Sequence, residues 1–123
     1  MNAHVLVADD DAATLALVAE VLERLGCLVS SAEDGDELLQ AVAAGGPFDL
    51  LVTDISMPWM TGLQVASSVR TAGITTPVIV MTALPIDAAR IDALGHTVLL
   101  RKPFGIKQLE AAVRYLLRVN HAA

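Results

Sequence analysis

Six polar side chains that could do chemistry together stand at the ends of short apolar runs in this 123-residue chain. Carboxylates held close together repel one another and need a cation, and Mg²⁺ is a hard divalent ion that suits oxygen ligands. A lysine would add a positive charge beside them, and a threonine a hydroxyl donor. These groups meet the requirements of phosphoryl transfer to a carboxylate, with Asp54 as the nucleophile. The six residues are Asp9, Asp10, Asp11, Asp54, Thr82 and Lys102.

Taken singly, each of these residues has a simpler explanation. Asp11, or even Asp10, could cap the helix that follows, because Asp accepts hydrogen bonds from unpaired N–H groups of a first helical turn. Asp54 and Thr82 could open turns, and Lys102 could be an ordinary exposed lysine. Chemistry is favoured only if the runs that precede these residues are strands of one sheet.

Short apolar runs alternate with longer segments of helical period. The runs predict strands at 5–8, 28–32, 50–53, 77–82 and 98–100. The periodic segments predict helices at 12–25, 36–44, 61–72, 86–94 and 106–119, and Gly26 is expected to end the first of them.

Five such units predict an α/β fold, a three-layer doubly wound parallel sheet with helices on both faces. The strands are continuous apolar runs, which is typical of a sheet covered on both faces. Such a sheet binds ligands beyond the carboxyl ends of its strands. The six polar residues would therefore converge on that edge.

Composition narrows the class of protein. The length fits one domain, no apolar run is long enough to span a membrane, and the N-terminus lacks the pattern of a signal peptide. The single cysteine, Cys27, suits a reducing cytoplasm and is expected to be a small buried core residue. A net charge of −6 argues against direct binding of nucleic acid. The acidic residues are concentrated at 9–54, which fits either an acidic site or a solvated acidic surface.

Over its whole length the chain resembles the receiver domain of two-component response regulators, of the single-domain, chemotaxis-regulator kind. The resemblance is carried by VLVADDD at 5–11, VTDISMPWMTG at 52–62, VIVMTA at 78–83 and RKPF at 101–104. Each stretch is weak evidence alone, but four in this order and spacing are specific. The resemblance implies a flavodoxin-like sheet with strand order 2-1-3-4-5.

The resemblance also implies the roles of the site residues. Asp54 would be the phosphoacceptor, and Asp10 and Asp54 would ligate Mg²⁺ directly. Asp9 would act mainly through water, and the backbone carbonyl of Ser56 would complete the protein ligands.

Further along the chain, the resemblance implies that Thr82, Lys102 and the N–H group of Ala83 would hold the phosphoryl oxygens. The Lys102–Pro103 peptide bond is expected to be cis, an isomer largely confined to X–Pro bonds. The phosphoryl donor would be a histidine kinase or a histidine phosphotransfer protein, and output would run through contacts with an unidentified protein.

The sequence departs from the family pattern at several positions. Leu99 replaces the aromatic residue whose rotation usually reports phosphorylation. The stretch from Thr82 to Lys102 is about two residues shorter than is typical of the family, so the helix at 86–94 or its leading loop is expected to be trimmed. Thr61 stands where Asp is common, and Trp59 where a smaller residue is usual.

Two further departures concern the lifetime of a phosphorylated state. Ser56 and Leu84 stand two residues after Asp54 and Thr82, where family side chains influence the attack of water on the phosphoaspartate. Neither offers an amide or a carboxylate to orient that water. We therefore expect slow self-dephosphorylation.

Three readings follow from the sequence. The first is a receiver domain over 1–123 without an output domain, which is not an enzyme beyond its own phosphotransfer and dephosphorylation; the receiver portion of a hybrid kinase would read almost identically. The second is an interaction module of the same fold that works without phosphorylation. The third, a phosphatase of the haloacid dehalogenase kind, is disfavoured because Ser56 stands where such enzymes have a second Asp.

Overall fold

A computed structural model describes residues 2–44, 47–54, 64, 67, 75–83, 89, 91, 93 and 95–121. Five strands pair in parallel in the order β2-β1-β3-β4-β5, which confirms the predicted sheet and its strand order. The strands are β1 (His4–Ala8), β2 (Leu28–Ala32), β3 (Leu50–Asp54), β4 (Val78–Thr82) and β5 (Thr97–Arg101).

Three of the predicted helices are fully described. They are α1 (Ala12–Arg24), α2 (Gly35–Ala43) and α3 (Ile106–His121). The predicted helices at 61–72 and 86–94 lie mostly outside the described residues. The described positions within them that are helical are Gln64, Ser67, Ala89 and Ile91.

Each face of the sheet carries its own hydrophobic core. Alternate residues of β1 point to opposite faces, so that Val5 and Val7 belong to one cluster and Leu6 to the other. Helices α1 and α3 cover the first face, and α2 contributes Leu38 to the second. The fold is therefore the predicted three-layer, doubly wound α/β arrangement.

The position of each strand in the sheet explains how deeply its residues are buried. All five residues of β3 and all five of β4 are buried, because these strands have neighbours on both sides and cores on both faces. β2 lies at the edge, and its first residue, Leu28, is 67% exposed. β3 and β4 thus reach the carboxyl edge as fully enclosed supports.

Local hydrogen bonds define both ends of α1. Asp11 is its N-cap, and the Asp11 side chain accepts from Thr14 Oγ1 at 2.6 Å and from Ala13 N at 3.3 Å. These two hydrogen bonds, with the Thr14 hydroxyl as the larger cause, lower the pKa of Asp11. The capping explanation is therefore the correct one for Asp11.

Gly26 ends α1, as predicted. It has a φ of 87°, in the left-handed region, and its N–H donates to Glu23 O at 2.9 Å. The N–H of Cys27 donates to Leu22 O at 3.0 Å, which completes a Schellman motif. Cys27 itself is a buried core residue, and burial raises the pKa of its thiol.

The described residues contain no helix that is both long and apolar enough to cross a membrane.

A second left-handed turn sets the start of β5, and it provides a test of the backbone geometry. Gly95 has a φ of 69°, and a Cβ atom added there would meet no other atom within 4 Å. Gly95→Ala should therefore lower the free energy of unfolding by about 1 kcal/mol, through backbone strain alone. Urea denaturation measures the change. Gly95→Asn is the matched control, because Asn tolerates the left-handed region, and an equal loss in both variants would contradict this explanation.

Candidate functional site

Three carboxylates meet at the carboxyl edge of the sheet. β1 and β3 are neighbours with Ala8 opposite Thr53, so that the residues that follow, Asp9 and Asp54, lie side by side. Single carboxylate oxygens of Asp9, Asp10 and Asp54 all lie within 4.8 Å of one another. Asp9 and Asp54 are buried, and Asp10 is exposed. The sequence predicted this convergence, and only Asp11 of the four neighbouring acids serves elsewhere, as the helix cap.

The carboxylate of Asp9 is held on both of its oxygens. Oδ1 accepts the backbone N–H of Asp11 at 2.8 Å, and Oδ2 lies 3.2 Å from Nζ of Lys102. The backbone N–H of Asp9 donates to Ala32 O at 3.2 Å, which ties it to the end of β2. Because a buried carboxylate without partners is strongly unfavourable, these contacts are what allow Asp9 to be only 1% exposed.

Lys102 supplies the positive charge at the centre of the cluster. Its Nζ lies 3.2 Å from Asp9 Oδ2 and 3.5 Å from Asp54 Oδ1, and its side chain is 23% exposed. The backbone N–H of Lys102 donates to Thr82 O at 2.6 Å, directly after β5 pairs with β4. The Lys102–Pro103 peptide bond is cis, as predicted.

Thr82 ends β4 and Ala83 follows it, next to β3, the strand that carries Asp54. Asp54 pairs with Met81, so that Thr82 is one residue further toward the edge than Asp54. Thr82 is fully buried, whereas Ala83 is exposed. Among the described residues, every fully buried side-chain N or O atom has a hydrogen-bond partner.

Leu99 occupies the position where the family resemblance led us to expect an aromatic residue. It lies in β5 opposite Val80, and its partly buried side chain packs against the second core. A branched aliphatic side chain in this place has no polar tip to exchange between core and solvent. Ser56, Trp59, Thr61 and Leu84 lie outside the described residues, and their predicted contributions stay predictions.

Two features of the site were missed in the sequence. Thr53 is fully buried and its hydroxyl donates to the backbone carbonyl of Asp54 at 3.1 Å. A polar residue in an otherwise apolar strand was the available signal. A cleft of about 410 Å³ also opens beside the lysine. It is lined by Thr14, Leu17, Ala83, Lys102, Pro103 and Phe104.

Comparison with known proteins agrees with the fold. The response regulator receiver domain family matches residues 5–114. The response regulator MprA of Mycobacterium ulcerans is 38% identical over 120 residues, which cover 96% of this chain and 51% of MprA. The chain thus spans about half the length of the curated relatives it matches.

Solved structures of response regulators have the same fold as this chain. The receiver domain of Francisella response regulator 1452 has a TM-score of 0.85 and 32% identity, covering 96% of this chain and 98% of that one. The chemotaxis response regulator CheY4 of Vibrio cholerae has a TM-score of 0.83 and 31% identity, covering 94% and 99%.

Five parallel strands in the order β2-β1-β3-β4-β5 are typical of a receiver fold, and the sequence match assigns the family. The chain belongs to the response regulator receiver domain family of two-component systems.

The central ion pair can be tested by a double-mutant cycle. Asp9→Asn, Lys102→Gln and the double variant should reveal a coupling of about 1–3 kcal/mol in the free energy of unfolding, because the pair is largely buried. Urea denaturation of the four proteins measures it.

The matched control is the pair between Arg24 and Glu20, which is shorter, at 2.7 Å, but has side chains 70% and 59% exposed. Its coupling should be no more than about 0.5 kcal/mol, because solvent screens it. Equal couplings in the two cycles would contradict the role assigned to burial.

Proposed function

We propose that the domain accepts a phosphoryl group on Asp54 in a Mg²⁺-dependent reaction, from the phosphohistidine of a histidine kinase or of a histidine phosphotransfer protein. The proposal rests on one observation above all. A nearly buried carboxylate, Asp54, lies beside two further carboxylates and 3.5 Å from the lysine ammonium group. A single Asp after a strand would not support it.

The proposed transfer is a nucleophilic displacement at phosphorus. An Oδ atom of Asp54 attacks the phosphorus, the phosphorus–nitrogen bond to the donor imidazole breaks, and the nitrogen keeps the electron pair and gains a proton. The product is an acyl phosphate on Asp54. Among this chain's own groups, we assign Lys102 Nζ, the Thr82 hydroxyl and the N–H group of Ala83 to the phosphoryl oxygens, where they offset developing negative charge.

The donor set fits a magnesium ion. Asp9, Asp10 and Asp54 offer hard, negatively charged oxygen atoms within a small space, and the exposed Asp10 gives access from solvent. We assign direct contact with the ion to Asp10, Asp54 and the backbone carbonyl of Ser56, a residue outside the described ones, and contact mainly through water to Asp9. When bound, the ion would neutralise negative charge on the transferring phosphoryl oxygens.

Lys102 is the residue through which we expect the domain to respond. Its ammonium group contacts the carboxylates of Asp9 and Asp54. Phosphorylation would convert the Asp54 carboxylate into a group with more negative charge and more acceptor oxygens. Lys102 directly follows β5 and precedes α3, so a shift of its side chain would act on that connection. This route does not require an aromatic residue at Leu99.

The packing of Leu99 favours a second candidate, an interaction module that works without phosphorylation. Partners could then bind the cleft beside Lys102, where Leu17 is 45% exposed. In the leading proposal the same cleft would receive the phosphodonor protein, next to Asp54. The two candidates differ in whether Asp54 is modified.

The extent and the location of the domain are also part of the proposal. We assign the receiver domain to 1–123, of which residues 5–114 match the family. We propose a cytoplasmic location, which the unpaired and buried Cys27 supports, since disulfides are rare in the reducing cytoplasm. No direct contact of this domain with nucleic acid or membrane is proposed.

Phosphorylation is tested with acetyl phosphate and Mg²⁺. The intact mass should rise by about 80 Da, the mass of one phosphoryl group, and the gain should be lost with hydroxylamine or without Mg²⁺. Asp54→Asn should abolish it, whereas Asp49→Asn, a matched change away from the site, should not. A mass gain that persists in Asp54→Asn would refute the assignment, and no gain in the unchanged protein would favour the second candidate.

The lifetime of the phosphorylated state gives a separate test. We expect slow loss of the phosphoryl group after the donor is removed, since Ser56 and Leu84 cannot orient water. Ser56→Asn should accelerate this loss, because an amide can hold the attacking water, whereas Ser56→Ala should leave the rate unchanged. Mass spectrometry over time measures the rate. A half-life of only seconds in the unchanged protein would disprove the expectation.

A further inference from the structure

A second concentration of charge lies away from the carboxylate edge. A cavity of about 530 Å³ opens where the end of α1 meets α3, and it is lined by Arg24, Leu25, Arg114 and Arg118. Three of the eight Lys and Arg residues of an otherwise acidic chain thus border one cavity.

Core packing brings these arginines together. Leu22 of α1 and Leu117 of α3 are buried in the same cluster on one face of the sheet. Arg24 is the last residue of α1, and Arg114 and Arg118 are four residues apart, on one side of α3. The backbone positions of the three arginines are therefore fixed by helices that are themselves anchored in the core.

The arginines are not needed to complete the helices. The carbonyl groups of Leu22 and Glu23 at the end of α1 already accept backbone N–H groups, so Arg24 is not required as a cap. Arg24 pairs with Glu20, and Arg114 pairs with Glu110 at 3.7 Å.

Both ion pairs join residues one helical turn apart whose side chains are 34–70% exposed, a type that contributes little to stability because solvent screens it. Arg118 forms no ion pair with any carboxylate that the structure describes. A multivalent anion that contacts all three guanidinium groups would therefore disrupt only weak ion pairs.

We propose that this cavity binds an organic phosphate with at least two negative charges, of the size of a nucleoside diphosphate. Each guanidinium group presents a planar fork of donors that matches phosphate oxygens. The cavity volume lies within the range of small-molecule sites, and Leu25 adds an apolar wall.

The site is separated from the acidic edge. The 13 residues of α1 place Arg24 about 20 Å from the beginning of the helix, next to the carboxylates. This distance exceeds the screening length of about 8 Å at physiological salt, so the carboxylates would not repel a bound anion appreciably. The proposal does not depend on phosphorylation of Asp54.

The binding test is isothermal titration calorimetry with ADP as the probe, in EDTA and 0.15 M salt. Saturable binding is expected, and Arg114→Gln and Arg118→Gln should each weaken it about tenfold. Lys107→Gln is the matched control, because it removes the same charge from the same helix outside the cavity. Equal weakening by the control, or an absence of saturable binding, would overturn the proposal.

Two further variants sharpen the result. Glu20→Gln should increase the affinity for ADP, because it removes the acid that competes for Arg24, and an unchanged or lower affinity would count against the site. Lys102→Gln should leave the affinity unchanged. If it abolished binding, the ADP would be at the carboxylate edge and the proposal would fail.

The source of the phosphate is decided by comparing ADP and inorganic pyrophosphate with vesicles that contain an anionic phospholipid. Binding of both soluble phosphates, with loss in the arginine variants, supports the proposal. Binding to vesicles alone, or to an acidic peptide in preference to ADP, would overturn it in favour of a surface for a larger partner. Thermal unfolding without ligand should be unchanged in Arg118→Gln, which shows that the variant is folded.

Discussion

The contact of Lys102 with Asp9 and Asp54 is the constraint on which the site depends. It joins residues 93 positions apart in the chain, at the ends of β1 and β5. Without a cation, three carboxylates with oxygens within 4.8 Å would repel one another, and two of them are buried. Lys102 makes this arrangement compatible with a stable fold and still leaves oxygen atoms for a metal ion. The same requirement for positive charge underlies the proposed response to phosphorylation.

The architecture supports this constraint by enclosing the central strands. β3 and β4 are buried along their whole length, so that their backbone positions at the edge are held from both faces. Asp54 and Thr82 are the terminal residues of these strands, and the edge is where the cores give way to solvent. The polar groups therefore gain rigidity from the strands without being placed inside the apolar layers. Asp11, one residue further along, instead stabilises α1 through its own first turn.

Charge is divided between the two ends of α1. The helix begins beside the acidic cluster and ends at the arginine-lined cavity. A rigid helix packed on the sheet keeps these opposite charges far enough apart that solvent screens them. We propose that the two regions bind ligands of opposite sign, a cation and a phosphate, on one small domain. Pairing of β1 with β3 assembles the acidic region, and the first core cluster, which holds α1 against α3, assembles the arginine-lined one.

Much of the fold could be predicted because its strands are short apolar runs with clear boundaries. The predicted limits of 28–32 were those observed, and the others differed by one or two residues at an end. One such difference matters, since Asp54 belongs to β3 itself and shares the strand's rigidity. The sequence showed that Leu99 replaces an aromatic residue, but only the structure showed that its side chain packs against the second core.

The sequence by itself determined which polar residues follow the strands, because strand period and chain order are local properties. It could not decide whether Asp11 caps a helix or joins the carboxylate cluster, since both roles suit an Asp in that place. Only the tertiary structure resolved this, by bringing β1 and β3 together and directing Asp11 to Thr14. The arginine cavity was likewise invisible in sequence. Arg24 and Arg118 are distant along the chain, and their proximity follows only from the packing of two helices on one face of the sheet.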